Sequence, residues 1–357
     1  MKKLLDDSAA IGEFRTHLLS WYRDHKRQTS WRDSSDPYHV WISEIMLQQT
    51  QVATVVPYFI KFLDRFPSVD ELAAATEDEV LHLWTGLGYY ARARNLHTTA
   101  KKVMKVHNGE LPATVNELVT LPGIGRSTAG AIAAICHETH AAILDGNVKR
   151  VLARHFTIGG WPGKTETQKS LWNKAESLTP HDRIADYTQA IMDLGATVCT
   201  RSSPDCPACP YFKSCQARIN GTIDQYPGKK PKRAVPLKST VMLIAELNGN
   251  VLLQKRPSKG LWGGLWSFPE CESVGGVDAL LQSLHLKQLV RTQLPGFRHT
   301  FTHYHLDIDP IRITVQETKR FADPSAEIWF NVSAPQSVGL TKPVTKILAE
   351  LTHTFAR

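Results

Sequence analysis

The stretch from residue 114 to residue 136, TVNELVTLPGIGRSTAGAIAAIC, contains two helix signals separated by a tight turn. Thr114 and Glu117 have the spacing of a capping box, which predicts a short helix running to Thr120. The sequence Leu-Pro-Gly-Ile-Gly at 121–125 then ends that helix. Apolar residues at helical spacing predict a second helix after it, namely Ala129, Ile132 and Ile135. Residues 114–136 are therefore predicted to form a helix-hairpin-helix.

The two glycines of this hairpin, Gly123 and Gly125, would let a partner approach the backbone closely. The free N–H groups at the start of the second helix suit a phosphate of DNA. An ordinary turn between two helices would contain the same proline and glycines, so the motif by itself leaves both interpretations open.

On either side of the hairpin, from Ile11 to Arg218, apolar residues recur at intervals of three and four, which predicts a mostly helical domain over 1–225. Residues 226–238 combine Pro and Gly with Lys and Arg and contain no acidic residue, which predicts an exposed basic linker. Beyond it, two β-rich runs flank Asn248-Gly249, a strong hairpin signal. With helices predicted near 277–284 and 343–351, residues 239–357 are expected to form an α+β domain, and the protein is multidomain.

Bulk composition limits the class of protein. The chain has 357 residues, of which 42% are apolar, which is enough for two domains with separate cores and excludes a disordered chain. The formal net charge of +8 favours contact with a polyanion, although many basic proteins bind no nucleic acid. Two aspartates follow Met-Lys-Lys-Leu-Leu at the N-terminus, so we expect no export signal, and no apolar run is long enough for a membrane span.

Four of the six cysteines are clustered within 17 residues, which indicates a metal centre rather than disulfides; they are Cys199, Cys206, Cys209 and Cys215. Four thiolates at these intervals can surround one centre. A structural zinc ion and a [4Fe-4S] cluster both remain open from the spacing alone.

Two acidic residues are candidates for catalysis. A helix predicted over 41–52 places Glu44 among apolar residues, which would favour its protonated form and suit a general acid. Asp145 precedes Gly146 at a tight turn before another helix. A salt-bridged surface glutamate and a helix N-cap are the ordinary alternatives for these two residues, and an N-cap aspartate can also be catalytic.

Taken together and in this order, the motifs resemble those of MutY-type adenine DNA glycosylases, which share a fold with endonuclease III. The resemblance covers nearly the whole chain and includes WISEIMLQQTQ at 41–51, GLGYYAR at 86–92, the hairpin, Asp145-Gly146-Asn147 and the four cysteines. It implies an N-terminal helix-hairpin-helix glycosylase fold, a structural [4Fe-4S] cluster in the loop 199–215, and excision of adenine paired with 8-oxoguanine or guanine in duplex DNA.

The resemblance also implies roles for individual residues. Glu44 would supply the proton for the leaving base and Asp145 the negative charge near the anomeric carbon, with Asn147 beside the sugar. Residues expected to line the adenine pocket are Arg27, Trp31, Ser127 and Gln189. Residues expected to contact DNA are Gln48, Gln49, Tyr89, Gly123 and Gly125, since the target base must leave the helical stack before a side chain can reach it.

Ser127 decides between two chemistries of the wider superfamily. Endonuclease III and other members that cut the strand have a lysine nucleophile just after the hairpin, whereas this chain reads Arg126-Ser127-Thr128. The resemblance therefore implies a monofunctional enzyme without strong lyase activity. Ser127 also differs from the tyrosine of some relatives. Two competing hypotheses are a glycosylase-lyase, against which Ser127 and the second domain count, and a non-catalytic damage-binding protein, against which the intact Glu44 and Asp145 count.

The second domain resembles the Nudix-like C-terminal domain of the same family. GLWGGLWSFP at 260–269 is similar to its glycine-rich segment, but the metal-binding glutamates of a Nudix hydrolase do not follow, so we expect no pyrophosphohydrolase activity. The segment Phe301-Thr302-His303 resembles the loop that recognises 8-oxoguanine, with Thr302 where serine is usual. The resemblance further implies a monomer in the bacterial cytoplasm near the nucleoid. A repair or replication protein could bind the basic linker, which could equally be a solvated tether.

Overall fold

The structure, a computed structural model, describes residues 2–32, 34–231, 234–317, 323 and 325–355. By their internal packing these residues divide into two compact units. The first comprises Met1–Ala73 with Thr98–Lys232, and the second comprises Ala74–His97 with Arg233–Arg357. No helix in the described part of the chain is long and apolar enough to cross a membrane.

The N-terminal part up to residue 231 is helical, as predicted, and no strand occurs among its described residues. Its helices are α1 (Lys2–His25), α2 (Pro37–Leu47), α3 (Val52–Arg65), α4 (Val69–Ala74), α5 (Glu77–Leu83), α6 (Ala91–Val106), α7 (Val115–Leu118), α8 (Arg126–His137), α9 (Gly146–His155), α10 (Thr165–Leu178), α11 (Ile184–Asp193) and α12 (Gln216–Ile219). A π-helical turn at Leu194–Val198 extends α11, and Ile223–Gln225 is a 3₁₀ turn.

The predicted helix-hairpin-helix is present as α7, a turn at 119–125 and α8. Thr114 caps α7 by accepting a hydrogen bond from the backbone N–H of Glu117 at 3.3 Å. The prediction that this helix continues to Thr120 is wrong by two residues, since α7 ends at Leu118. The Thr120 hydroxyl donates to the Glu117 carbonyl at 2.7 Å and so competes with a further helical turn.

The predicted helix over 41–52 is two helices. α2 ends at Leu47, and α3 begins at Val52. Between them Gln49 has a left-handed backbone with φ of 59°, which no helix interior contains. The side chain of Gln48 donates to Thr128 Oγ1 at 3.4 Å, a tertiary contact that no local pattern in this polar run could indicate.

The core of the first unit lies between α1, α9, α10 and α11, which bury residues at helical spacing against one another, including Phe14, Leu18, Leu152, Leu171 and Ile191. These helices have one apolar face each, and its removal from water is the main stabilising term. Two of these helices also carry residues of the candidate site, since Asp145 is the N-cap of α9 and Gln189 lies on α11.

The C-terminal part is α+β, as predicted. Its elements are β1 (Leu237–Leu247), β2 (Asn250–Lys255), β3 (Trp266–Ser267), β4 (Glu270–Cys271), α13 (Val277–Ser283), β5 (Leu286–Gln293), β6 (Phe297–Thr300), β7 (His305–Glu317), β8 (Glu327–Asn331) and α14 (Lys342–Phe355). Val274–Gly276 is a 3₁₀ turn. The sheet has the order β3-β2-β1-β7-β5, with β4 on β1, β6 on β7 and β8 on β2.

In this sheet β1 and β7 are parallel, and β1 and β2 form the predicted hairpin, with Leu247 opposite Asn250. Both turn residues have positive φ, 50° at Asn248 and 76° at Gly249, as a two-residue turn between twisted strands requires. The strand β1 begins at Leu237, inside the predicted linker, because the carbonyl of Pro236 already accepts a hydrogen bond from the His305 N–H.

Packing divides the chain differently from the boundaries predicted along the sequence, because it places Ala74–His97 with the C-terminal residues. Asp78 in this segment accepts hydrogen bonds from Trp266 Nε1 at 3.1 Å and from Lys255 Nζ at 3.0 Å. A shift in composition along the chain cannot show such a contact, since the partners are 177 and 188 residues away.

Candidate active site

A cavity of about 750 Å³ in the first unit contains most of the residues that the sequence indicated as functional. The predicted residues that line it are Arg27, Trp31, Glu44, Gln48, Gln49, Ser127, Asp145, Asn147 and Gln189. They come from α2, α8, α9, α11 and the connecting loops, so the tertiary fold brings together residues that are more than 150 positions apart.

Glu44 lies on α2 with its carboxyl group in the cavity. The pKa of this carboxyl is raised from 4.5 to about 7, chiefly by burial and also by the nearby Asp145, against the opposing charges of Arg32 and Arg27. In the described part of the chain the carboxyl has no hydrogen-bond or salt-bridge partner. Glu44 can therefore carry a proton near neutral pH and present it to a bound molecule.

Asp145 is the N-cap of α9, so its side chain is held rather than free. One oxygen accepts a hydrogen bond from the Val148 N–H at 2.8 Å, and the other accepts one from Asn147 Nδ2 at 3.1 Å. Burial raises the pKa of Asp145, while these hydrogen bonds and the charge of Arg150 act in the opposite direction. The two carboxyl groups therefore differ: the hydrogen bonds on Asp145 favour its charged form, and Glu44 has none in the described residues.

Asn147 is held in turn by Arg150, which was not among the residues predicted from the sequence. Arg150 Nη2 donates to Asn147 Oδ1 at 2.8 Å and to the Gly195 carbonyl at 2.5 Å. Its Nε donates to the carbonyl of Cys199 at 2.6 Å. One guanidinium thus connects Asn147 to the start of the cysteine-rich loop. Position 150 lies three residues after Asn147 on the same helix, a spacing that could have suggested the contact.

Gly195 allows the π-helical turn that contains it to approach the start of α9 closely. A Cβ atom at this position would lie 2.6 Å from the Cβ atom of Asn147, closer than real Cβ atoms come to other atoms. Only glycine therefore permits the observed position of Asn147.

A buried carboxylate fixes two arginines at the cavity wall. Asp193 is fully buried and accepts hydrogen bonds from Arg27 Nε at 2.8 Å, from Arg27 Nη2 at 2.6 Å and from Arg32. Arg32 lines the cavity beside Arg27. No pattern in the sequence indicated Asp193 or Arg32, because their contact joins positions 161 residues apart.

Ser127 and Trp31 contribute to the wall in different ways. Ser127 Oγ accepts a hydrogen bond from the Leu144 N–H at 2.9 Å, so this hydroxyl helps to hold the segment that leads into Asp145. Trp31 is buried and packs edge-on against Phe59, with ring centroids 5.1 Å apart. Gln189, the remaining predicted pocket residue, accepts a hydrogen bond from the hydroxyl of Tyr22 at 2.6 Å.

Three of the five residues predicted to contact DNA have positive φ. Gln49 and Tyr89 both have positive φ, 59° and 49°, which is strained for residues with side chains. Tyr89 belongs to the second unit, is 45% exposed and has Arg92 over its ring. In the hairpin, Gly123 has φ of 80°, and Gly125 is the N-cap of α8, with no atom within 4 Å of where its Cβ would be.

The four cysteines of the loop 199–215 are free thiols that line one small cavity together with Arg154 and Arg218. Arg154 donates to Cys199 Sγ at 3.4 Å and to the Thr200 carbonyl at 2.6 Å. Among the described residues, no three His, Cys, Asp or Glu side chains converge as the ligands of a single metal ion do.

The predicted lesion-reading residues lie in the second unit, at the turn between β6 and β7. The ring of Phe301 packs against Trp262, His299 and Tyr304, with centroids 4.5–5.0 Å apart. Thr302 and His303 are exposed, and Thr302 Oγ1 lies 3.4 Å from His303 Nδ1. The turn thus exposes two polar side chains next to a cluster of aromatic rings.

Two family models match the chain. Residues 42–177 match the helix-hairpin-helix superfamily of base excision DNA repair proteins, and residues 240–350 match the Nudix domain.

Curated relatives match over most of the chain. The adenine DNA glycosylase of Buchnera aphidicola subsp. Baizongia pistaciae is 39% identical over 340 residues, which cover 95% of this chain and 96% of the relative. That of Mus musculus is 35% identical and covers 91% of this chain and 75% of the relative.

Among solved structures, a thermostable thymine-DNA glycosylase matches 60% of this chain and 98% of its own, with a TM-score of 0.55 and 27% identity. An endonuclease III–DNA complex matches 59% of this chain and 97% of its own, with a TM-score of 0.50 and 20% identity, which shows a shared fold.

Proposed function

Because the chain belongs to the adenine DNA glycosylase family, we propose that it hydrolyses the N-glycosidic bond of adenine opposite 8-oxoguanine, and opposite guanine, in duplex DNA. The reaction is a step of base excision repair. The observation that carries this proposal is the pair of carboxyl groups in one cavity, one free and protonated near neutral pH and the other hydrogen-bonded.

The two carboxyl groups divide the chemistry. Glu44 gives its proton to a ring nitrogen of the flipped-out adenine, and the bond between the sugar and the base breaks with its electron pair going to the base. Asp145 stabilises the positive charge that develops on the sugar, with Asn147 beside it. Water then adds to the anomeric carbon and loses a proton, which leaves free adenine and an abasic site.

Recognition of the base uses other cavity residues, and contact with the duplex also uses Tyr89, Gly123 and Gly125, which do not line the cavity. Arg27, Trp31, Ser127 and Gln189 line the adenine pocket. Gln48, Gln49 and Tyr89 occupy the space that the flipped base leaves, and the backbone at Gly123 and Gly125 binds a phosphate.

The enzyme is monofunctional. Ser127 stands where a lyase nucleophile would be, and its hydroxyl accepts a hydrogen bond from the Leu144 N–H. A serine hydroxyl cannot form the imine that strand cleavage by a lyase requires. The product is therefore an abasic site on an intact strand.

Cys199, Cys206, Cys209 and Cys215 are the residues that would hold a [4Fe-4S] cluster. Their four thiols line one cavity, with Arg154 donating to a sulfur and the guanidinium groups of Arg154 and Arg218 beside the thiols. The cluster has a structural role, since it would join the ends of the loop 199–215.

The domain at 239–357, after the basic linker 226–238, reads 8-oxoguanine with Phe301, Thr302 and His303 and hydrolyses no pyrophosphate. The N-terminal glycosylase domain spans 1–225. The enzyme acts as a monomer in the cytoplasm, at the nucleoid, and the basic linker is a binding site for a repair or replication protein.

The first test is to incubate the purified protein with a duplex that contains adenine opposite 8-oxoguanine and to divide each time point into alkali-treated and untreated halves. Cleavage seen only after alkali supports the proposal. Cleavage without alkali would reveal a lyase, and tight binding without cleavage in either half would indicate a non-catalytic damage-binding protein.

A further inference from the structure

We propose that Tyr22 is a positioning residue that fixes the side-chain amide of Gln189 in one orientation and thereby makes the site prefer adenine to purines with a 6-oxo group. This inference rests on the proposed function, and it concerns a residue outside the cavity lining.

The geometry joins two helices. Tyr22 on α1 is 5% exposed, and its hydroxyl donates to Gln189 Oε1 on α11 at 2.6 Å. Gln189 lines the cavity that contains Glu44. A buried group behind the cavity wall therefore contacts a side chain that faces the substrate.

The hydroxyl sets which end of the amide faces it. Tyr22 carries one proton to donate, and within the described residues Gln189 Oε1 is the acceptor that it meets. With the amide reversed, the NH₂ group of Gln189 would face the Tyr22 hydroxyl. The hydroxyl proton would then be a buried donor without an acceptor, which is unfavourable. Burial also raises the pKa of Tyr22 to about 12, so the phenol keeps its proton at working pH.

The locked amide leaves a defined pattern for the substrate. Oε1 retains a second lone pair, and Nε2, which has no partner in the described part of the chain, is a free donor. Adenine offers an amino donor at C6 beside the N7 acceptor, which matches one amide orientation. A 6-oxo purine offers two acceptors on the same edge, O6 and N7, so neither orientation of the amide satisfies both of its ends. Fixing the amide in one orientation therefore gives such a base no advantage.

The test compares adenine and hypoxanthine, each placed opposite 8-oxoguanine, in single-turnover excision by the full-length protein. For Tyr22→Phe we expect the rate constant for adenine to fall about fivefold, the effect of one neutral hydrogen bond, and that for hypoxanthine to change less than about twofold. In a Gln189→Ala background, Tyr22→Phe should change neither rate, because the amide through which it acts is absent.

Tyr38→Phe is the matched control. Tyr38 is equally buried, and its hydroxyl donates to the Phe66 carbonyl at 2.7 Å, so the substitution removes a buried hydroxyl without contacting the amide. We expect it to lower Tm without changing the ratio of the two rates. Equal losses on both bases for Tyr22→Phe, or a full effect in the Gln189→Ala background, would overturn the inference, whereas adenine excision by the unmodified protein tests the proposed function separately.

Discussion

At Glu44 two sets of physical effects oppose each other, and their balance sets the pKa of its carboxyl. Burial and the charge of Asp145 favour the neutral carboxyl, while two arginines favour the carboxylate. The arginines do not dominate, because Asp193 lies closer to them and neutralises part of their charge. The pKa of about 7 that results places a proton donor in the cavity at working pH.

The role of Glu44 predicts both a mutant phenotype and a pH profile. Glu44→Gln should lower the single-turnover rate constant by about 10²- to 10⁴-fold, the usual contribution of a general acid. For the unmodified enzyme, with the pKa of Glu44 near 7, the rate constant should fall about tenfold per pH unit above neutrality. A loss below about fivefold, or a flat profile from pH 6 to 9, would reject the general-acid role.

The same residue affects stability. Its pKa is about 7 when folded and 4.5 ordinarily, so between these values the folded protein binds more protons than the unfolded chain, and stability falls as pH rises. Glu44→Gln removes this loss. We expect the free energy of unfolding of the variant minus that of the unmodified protein to increase by up to about 3 kcal/mol between pH 5 and pH 8. Urea unfolding at both pH values measures the difference, and an unchanged difference would contradict the buried, uncharged state.

At the scale of the elements, the site depends on where helices begin. The N-terminus of α9 supplies the N–H groups that hold Asp145, and the N-terminus of α8 follows the hairpin that we propose binds phosphate. Free N–H groups at such ends favour negative charge. In the proposed function, one structural device thus serves both the Asp145 carboxyl and the duplex backbone.

Gly125→Ala tests the hairpin without disturbing the fold, because φ at Gly125 is −86° and no atom lies within 4 Å of the added Cβ. The methyl group would instead meet the DNA backbone. We expect unchanged Tm and an approximately tenfold weaker Kd for duplexes of any sequence, since phosphate contacts are not base-specific. Gly12→Ala, which also adds a methyl group in open space, is the control and should leave Kd unchanged. Equal affinities for both variants would exclude a close DNA approach at Gly125.

Gly195→Ala tests the contact between the π-helical turn and α9. The added Cβ would lie 2.6 Å from Asn147 Cβ and 2.9 Å from its carbonyl oxygen, so Asn147 must move. Because displacements near 1 Å can cost about 10²-fold in rate, we expect a loss of roughly 10- to 100-fold in excision with duplex binding retained. Gly159→Ala, where no atom lies within 4 Å of the added methyl group, is the control and should leave the excision rate unchanged. Normal excision by Gly195→Ala would show that the position of Asn147 does not matter.

At the scale of the whole molecule, base removal and lesion reading are assigned to different units. The carboxyl groups and their supports lie in the first unit, and the turn with Phe301, Thr302 and His303 lies in the second. The net charge of +8 adds attraction for any duplex, which is not selective. In the proposed function, selectivity for the lesion therefore comes from the side chains of the turn.

Phe301→Ala should separate these contributions. Loss of one aromatic contact should lower the preference for adenine opposite 8-oxoguanine over adenine opposite guanine by about tenfold, with excision opposite guanine nearly unchanged. Single-turnover rate constants on the two duplexes measure this ratio. Leu289→Ala, which removes an exposed apolar side chain from β5, is the control. Equal losses on both duplexes would indicate a general defect rather than lost lesion reading.

Much of this molecule could be predicted from the sequence because the relevant hydrogen bonds are local. The cap at Thr114, the N-cap at Asp145 and the hairpin at Asn248-Gly249 each join residues within a few positions, so the chain itself contains both partners. The apolar environment of Glu44 was likewise predicted from its neighbours on α2, and its raised pKa agrees.

Tertiary structure alone decided the contacts between distant positions. Helix α2 ends at Leu47, and Gln48 in the turn after it contacts Thr128. Asp193 contacts Arg27 and Arg32, which lie more than 160 positions away. Ala74–His97 packs with the C-terminal residues. Such contacts depend on where the helices lie in space, since their partners share no spacing that a sequence pattern could reveal. The sequence therefore identified the groups that we propose do the chemistry, and the packing of the helices determined how each is held and charged.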